Sequence, residues 1–357
     1  MKLNLFSKLY TGLDIGSHSV KVVQIERTKK GSRLVGCGLS AYESETPDDD
    51  QMVRAIQKVH QDNNLPLNRE VWLGISGRST SVRVVNLPKM PEDEIKTTID
   101  WHLEEYLPFP RDEMYYDWEI LNPPQEEAGM KKEILIAVVG SKKELVDRLV
   151  SIANQARIDP VGINLVPMAL YNSLRRKVGR DPLALIDIGA KITTVIIVAK
   201  RILCFSRQVE IGGESITRAM ADESGLGYQQ AEDMKREDSR LINLVEDNQL
   251  RLLKACQPVI MEILTEIRKS ISFFESEYSE YLYGKVNRIV LSGGTSRILH
   301  IDKLLTESLG IPAEVFNPLD SLEVSPSLNN DDLKKTAPLF ATGIGLIEGI
   351  WEEEKKK

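Results

Sequence analysis

Cysteine is scarce. Cys37, Cys204 and Cys256 are the three in 357 residues, an odd number, far apart and without metal-ligand spacing. That pattern excludes a disulfide framework and a zinc site and suits a reducing cytoplasm. Long apolar runs are also missing: no stretch approaches the roughly 18 apolar residues of a membrane span, and the first residues lack the apolar core and small-residue cleavage site of a secretory leader. Met1-Lys2-Leu3-Asn4-Leu5-Phe6-Ser7-Lys8-Leu9 reads as a leader packing on the body, with contact to a membrane surface as its alternative; it is too short to anchor alone. Nor is there an excess of basic residues. The formal net charge is -7 with no basic stripe to offset it, which argues against a nucleic-acid partner and leaves proteins and small ligands.

What is present is a globular composition, 42% hydrophobic and 28% charged, on a chain long enough for two lobes. One phrase occurs twice. Leu13-Asp14-Ile15-Gly16-Ser17-His18-Ser19-Val20-Lys21-Val22 returns in the same register as Ile186-Asp187-Ile188-Gly189-Ala190-Lys191-Ile192-Thr193-Thr194-Val195. Each copy is an apolar run ending in Asp, a glycine turn and a second β-branched run, the pattern of a hairpin with an acid at its tip. A single copy would pass as ordinary turn chemistry. Two predict a pair of similar half-domains whose facing hairpins bring Asp14 and Asp187 to one point, while Gly16 and Gly189 let backbone N–H groups approach a ligand. Such an arrangement is a triphosphate clamp with two acids left for a hydrated Mg2+. A third apolar strand, Val286 to Leu291, runs into Ser292-Gly293-Gly294-Thr295-Ser296; by itself the glycine pair would be a plain strand-to-helix turn.

Strands are legible at Tyr10 to Asp14, Val20 to Glu26, Arg33 to Tyr42 and Glu70 to Ser76. Before the last comes a helix with Met52, Val53, Ile56 and Val59 on its buried face and Asp49 or Asp50 as its N-cap. A different unit follows, in the order strand Ser81 to Leu87, helix Glu92 to Leu107, strand Tyr115 to Leu121, strand Glu133 to Gly140, helix Lys142 to Ala156, with Asn122 to Gly129 as a polar hairpin loop. The second lobe has strands Leu183 to Asp187, Ile192 to Ala199 and Ile202 to Gln208, then a helical stretch Gln229 to Tyr278 that Pro258 should kink or restart. Helix Ser296 to Leu309, strand Glu314 to Phe316, helix Pro338 to Trp351 and a disordered charged tail complete the chain. The expected architecture is α/β: a first lobe opening over 1–78, an inserted α+β unit over 79–158, a return over 159–182, a second lobe over 183–335, and a C-terminal helix over 336–357 that returns to the first lobe.

Acid hairpin, acid hairpin and strand-Gly-Gly-helix, in that order, resemble the actin, sugar-kinase and heat-shock-chaperone superfamily. The resemblance implies ATP and Mg2+ in a cleft between the lobes. Asp14 and Asp187 would hold the metal through water, and Lys21, with Gly16, Ser17, His18 and Ser19 of the first turn, would meet the phosphates. His18 would serve through its backbone. Gly189, Ala190 and Thr193 of the second hairpin would face the outer phosphates, although Thr193 and Thr194 also suit a plain strand. Gly293, Gly294 and Thr295 would lie against the nucleoside, flanked by Gly213, Glu232 and Lys235; an i, i+3 Glu and Lys on one helix is otherwise a solvated pair.

A small insertion between the two hairpins is similar to the bacterial division protein FtsA, whose terminal membrane-seeking helix has no counterpart in Trp351-Glu352-Glu353-Glu354-Lys355-Lys356-Lys357. A fuller resemblance runs to the PilM family of actin-like proteins in type IV pilus assembly. It rests on Gly12 to Ser17, Val85-Asn86-Leu87-Pro88 to Leu107-Pro108-Phe109, Leu185 to Ala190, and Ile211-Gly212-Gly213-Glu214-Ser215-Ile216-Thr217 followed by Gly225-Leu226-Gly227 and Ala231-Glu232. It implies an ATP-loaded cytoplasmic adaptor with weak or no hydrolysis, held at the inner membrane by capturing the cytoplasmic N-terminal segment of the membrane protein PilN in a groove involving the insertion. Self-association and the pilus motor ATPases are further partners it suggests. The alternatives are an FtsA-like division filament protein and a small-molecule kinase, for which the sequence shows no recognisable acceptor-binding acid.

Overall fold

The computed structural model describes residues 8–28, 31–66, 70–121, 133–175, 177–237, 247–278, 284–298, 300–328 and 330–356. The strands are β1 (Lys8–Ile15), β2 (Ser19–Thr28), β3 (Gly31–Ala41), β4 (Glu70–Ile75), β5 (Thr80–Pro88), β6 (Met114–Ile120), β7 (Glu133–Lys142), β8 (Pro160–Leu165), β9 (Leu183–Ile188), β10 (Thr193–Ala199), β11 (Ile202–Val209), β12 (Arg288–Ser292), β13 (Ala313–Val315) and β14 (Glu323–Val324). The helices are α1 (Asp49–Asp62), α2 (Glu92–Tyr106), α3 (Lys143–Gln155), α4 (Val166–Leu174), α5 (Gly213–Ser224), α6 (Tyr228–Glu237), α7 (Asp247–Tyr278), α8 (Ile301–Leu309), α9 (Asn330–Thr336) and α10 (Ala341–Lys356).

Two sheets carry the duplication. The first is ordered β14-β3-β2-β1-β4-β8 and the second β11-β10-β9-β12-β13. Leaving out β14, both place an antiparallel three-strand meander beside two parallel strands in the same sequence of positions. Asp14 pairs across its hairpin with Lys21, and Asp187 with Thr194. On its other side Asp14 lies beside Gly74 of β4, and Asp187 beside Ser292 of β12.

Helix α4 joins the halves. All nine of its residues are buried, and one apolar cluster runs from Leu13 and Leu73 through Leu170 and Leu174 to Leu185 and Ile196. Helix α10 packs against α4 at Gly345, where an added Cβ would collide with the Ala169 carbonyl; only glycine permits the helices this approach. Its Ile344, Ile347, Ile350 and Trp351 close a second cluster with Tyr10, Val23 and Ile25. Burying each such side chain contributes about 1.5–3 kcal/mol, which returns the chain's end to the first lobe.

The three-stranded sheet β5-β7-β6 stands between β4 and β8 in sequence. Its own core sets Ile95, Ile99 and Leu103 of α2 against Ile134, Ile136 and Val138 of β7, with Leu107 and Phe109 as anchors. Helix α3, expected as part of the same unit, buries Leu149, Ile152 and Ala153 in the cluster that joins the halves, beside α1.

Several local expectations are corrected. The N-cap of α1 is Asp48, not Asp49 or Asp50: Gln51 N–H donates to Asp48 Oδ1 at 2.7 Å and Gln51 Oε1 accepts from Asp48 N–H at 3.1 Å. The reciprocal capping box needs an acceptor three residues before Gln51, which leaves Asp49 and Asp50 to meet the dipole in the first turn. Helix α7 runs through Pro258 without restarting. After Gly294 comes a short 3-10 turn to Arg297, and α8 starts only at Ile301, because His300 holds a left-handed φ of 65°. Helix α10 continues through the charged tail to Lys356. The Asn122 to Gly129 loop and most of the amino-terminal leader lie outside the described residues.

Candidate functional site

The two acid hairpins and the β12 turn converge on one chamber of about 450 Å³ between the halves. Every residue predicted from sequence lines it except Thr193. Thr193 is buried and its hydroxyl donates to the Ile211 carbonyl at 2.7 Å; the alternation of β10 turns Thr194 to the chamber instead.

At the first hairpin Gly16 N–H closes the turn onto the Ser19 carbonyl at 3.1 Å, and at the second Gly189 N–H meets the Ile192 carbonyl at 3.0 Å. Ser17, His18 and Ser19 thus correspond to Ala190, Lys191 and Ile192. Lys21 is held by Asp14 at 3.0 Å, both side chains mostly buried. Asp187 is half-buried and lines the same chamber. Burial pushes its pKa up to about 6; the Ser292 hydroxyl and Lys21 oppose that, while Asp14 adds to it.

The third wall begins at Gly293, whose φ of 84° and 2.5 Å clearance between an added Cβ and the Ile188 carbonyl exclude a side chain. The amide and hydroxyl groups there are mostly committed. Gly213 N–H and Glu214 N–H donate to the Gly189 and Ala190 carbonyls at 2.9 and 2.8 Å, and Thr295 Oγ1 donates to the Gly189 carbonyl at 3.2 Å. Gly213 and Thr295 therefore fix the second hairpin while lining the chamber.

Glu232 and Lys235 are not a solvated pair. Glu232 Oε2 accepts from Lys235 Nζ at 2.6 Å and from Thr217 Oγ1 at 2.5 Å, and its Oε1 accepts from Arg236 Nε at 3.0 Å. Lys235 Nζ also donates to the Gly213 carbonyl at 3.0 Å. Burial works to raise the Glu232 pKa, but Lys235, Thr217 and Arg236 outweigh it and hold the carboxyl below its usual range.

Sequence reasoning missed Arg236, Arg297, Lys191 and Tyr228, which line the same chamber. Arg236 reaches His18 Nε2 across the cleft, so the imidazole, expected to matter only for its backbone, bridges the lobes. Burial lowers the His18 pKa, with Arg236 and Lys235 adding to the effect and Glu232 opposing it. Near the mouth Arg218 pairs with Glu45 at 2.9 Å, and Lys191 donates to the Glu45 carbonyl at 3.1 Å.

The chamber also runs away from the hairpin turns, between β3, α1 and α3, into an apolar groove lined by Leu39, Ala41, Met52, Leu145 and Leu149. Arg148 of α3 spans its edge to Asp49 of α1 at 2.6 Å.

Paired acid hairpins, duplicated sheets and an interlobe chamber define the actin-like ATPase fold. The structure of a PilM-PilN type IV pilus biogenesis complex is similar with a TM-score of 0.80 at 24% identity, over 94% of this chain and 97% of that one. MreB 5 of Spiroplasma citri bound to AMPPNP is similar at 0.53 and 13% identity, over 98% and 97%. Cell division protein FtsA of Bacillus subtilis is 21% identical over 258 residues, 65% of this chain and 58% of that protein; FtsA of Enterococcus faecalis is 23% identical over 257, 64% and 57%. The chain thus spans less than three fifths of the length of these curated relatives. Residues 12–347 match the family described as Type IV pilus assembly protein PilM, and the chain belongs to that family. Among the described residues no helix is long and apolar enough to cross a membrane.

Proposed function

We propose that this chain is an ATP-binding adaptor of a type IV pilus or related competence or secretion complex, and that it captures the cytoplasmic amino-terminal segment of a PilN-type membrane protein. The observation that carries the nucleotide reading is the convergence of Asp14, Asp187 and the Ser292-Gly293-Gly294 turn on one chamber. The residues fit the group. Added Cβ atoms at Gly16 and Gly189 would come within 3.0 Å of Lys21 Nζ and 2.9 Å of the Ile192 carbonyl, so both turns present bare backbone. Lys21, Arg236 and Arg297 add cations along the chamber.

No group of three or more His, Cys, Asp or Glu converges on a metal among the described residues. Two carboxylates beside a polyphosphate suit Mg2+, which keeps several waters and is shared between protein and phosphates. Bound there, Mg2+ would neutralise phosphate charge. Asp14 and Asp187 would orient its water shell, Lys21 and the turn backbone from Gly16 to Ser19 would bind phosphate oxygens, and Gly293 and Gly294 would admit the nucleoside. The groove beside α3 supplies an apolar channel for an extended or helical segment, which would hold the protein at the membrane through its partner.

Calorimetry on nucleotide-stripped protein tests the first half: Asp14→Ala and Asp187→Ala should each weaken Mg·ATP binding at least about tenfold, the size of one lost charge-assisted contact. Undiminished affinity in the double variant would overturn the nucleotide assignment. Leu145→Glu, placing a carboxylate in the groove, should abolish binding of the partner's amino-terminal peptide and leave ATP binding intact; unchanged peptide affinity would put the partner elsewhere.

A further inference from the structure

We propose that the outer face of α2, centred on Trp101, is a docking surface for a basic, Arg- and Lys-rich segment of another protein, separate from the chamber and its groove. Trp101 is 82% exposed, more than any other exposed large hydrophobic side chain of the described residues. Its ring has no aromatic or cationic neighbour among them. A single exposed apolar residue is ordinary on a protein surface, but the charge around this one is not. Residues 92–113 contain eight Asp or Glu and two Lys or Arg, a net charge of -6 against -7 for the whole chain. The remainder of the molecule is therefore close to neutral, and the excess acidity sits on one helix and the turn after it. Thr97, Glu104 and Glu105, three or four positions from Trp101, and Glu94, two turns before it, share its face of the helix and are exposed.

Packing and helix stability do not account for this pattern. Helix α2 satisfies its packing with the opposite face, where Ile95, Ile99 and Leu103 meet Ile134, Ile136 and Val138 of β7. The alternate β7 residues Ala137 and Val139 belong to the cluster that holds Leu149 of α3. The sheet thus stands between the Trp101 face and the α1–α3 groove. Glu92, Asp93 and Glu94 suit the positive end of the helix dipole. Glu104 and Glu105 oppose it, because they stand in the last turn, which has no basic residue.

The sign of the charge selects the occupant. Carboxylates repel nucleic-acid phosphates and anionic lipid, and the nearly neutral remainder of the chain gives a second copy no strong basic field to match them. A basic segment is steered in by the carboxylates at the rim. It then covers Trp101 with a guanidinium or ammonium group, which is attracted to the face of an indole ring. Tryptophan at the centre of such a patch is among the residues that most often carry the binding energy of an interface.

The probe is an amphipathic helical peptide of Leu and Arg, titrated calorimetrically into full-length protein at about 50 mM salt and again at about 500 mM, where exposed charges are screened. Wild type should bind at low salt, with a blue shift of tryptophan emission as Trp101 is covered, and should bind more weakly at high salt. Trp101→Ala should lower the affinity at least about tenfold, as loss of a central aromatic anchor does. The double variant Glu94→Lys/Glu105→Lys should lower it as much. Glu262→Lys/Glu307→Lys makes the same charge change at exposed positions of α7 and α8 and should bind like wild type. No binding by wild type, equal affinity in all variants, or an equal loss in the α7–α8 control overturns the proposal. Trp101-dependent co-sedimentation with phosphatidylglycerol vesicles, or Trp101-dependent dimerisation in sedimentation velocity, overturns it as well, by giving the face to a membrane or to a second copy.

Discussion

Lys235→Met separates a residue that builds the site from one that contacts a ligand. The substitution keeps the aliphatic stem and removes an ammonium that donates to Glu232 Oε2 at 2.6 Å and to the Gly213 carbonyl at 3.0 Å. Lys235 and Glu232 side chains are only 10% and 7% exposed. Breaking a buried ion pair costs roughly 3–5 kcal/mol. Arg236 and Thr217 still donate to Glu232 after the change, so the loss falls at the lower end, about 3 kcal/mol. With about 2.1 cal/mol/K of unfolding entropy per residue, the chain of 357 residues should melt about 4 °C lower. Scanning calorimetry on nucleotide-free protein measures this directly. Arg297→Met is the control: Arg297 lines the chamber, and burial together with Arg236 lowers its pKa, so its loss should spare the melting temperature and weaken ATP binding instead. A Lys235→Met protein that melts within about 1 °C of wild type and loses only ATP affinity would refute the structural assignment.

Glu232 titrates below its usual range in the folded protein, so its contribution to stability is fully present above the unfolded value of 4.5 and is lost as pH falls through the lower folded value. Denaturation of wild type and Glu232→Gln should therefore differ at pH 7 and converge in acid below pH 4.5; a pH-independent difference contradicts the ionic role. Glu45→Ala removes a pair whose side chains are 36% and 54% exposed, so stability should change by under about 1 kcal/mol, while dissociation of a fluorescent ATP analogue in stopped flow should quicken at low salt and match wild type near 1 M, where exposed charges are screened. Equal rates at low salt would show that Glu45 and Arg218 do not restrain opening. Steady-state phosphate release by the isolated protein should stay well below about 1 s⁻¹, because the proposed adaptor role would need a nucleotide-held shape and no turnover; faster release in a malachite-green assay would favour a kinase-like or ATPase role.

The hairpin end of the chamber was legible because backbone conformation makes it. Asp-x-Gly between β-branched runs specifies a turn wherever it occurs, and its repetition at Gly16 and Gly189 marked both the duplicated sheets and the acids facing each other. Helix α4 left no such trace: nine consecutive buried residues have no polar face to generate a 3.6-residue period, and Pro167 in its first turn reads as a break although it suits that position. Helix α5 hid for a related reason, its start falling on Gly212-Gly213, which a local reading assigns to a loop.

The remaining half of the chamber depends on residues far apart in sequence. Glu232 and Lys235, three apart on α6, have the spacing of a solvated pair; Thr217 and the Gly213 carbonyl, some fifteen to twenty-two positions earlier, turn them into a buried network. Arg236 carries no signal distinct from its neighbours until His18 meets it from a distance of 218 residues. The same holds for the groove, since Met52 and Leu145 are each good core residues on amphipathic helices and only the packing of α3 against α1 makes them walls of a channel. Where function needs bare backbone, glycine must be written into the chain at that point; where it needs side chains converging from several elements, each can satisfy its local helix or strand equally well without the site. The hairpin end of the chamber is of the first kind, and the walls supplied by α3 and α6 are of the second.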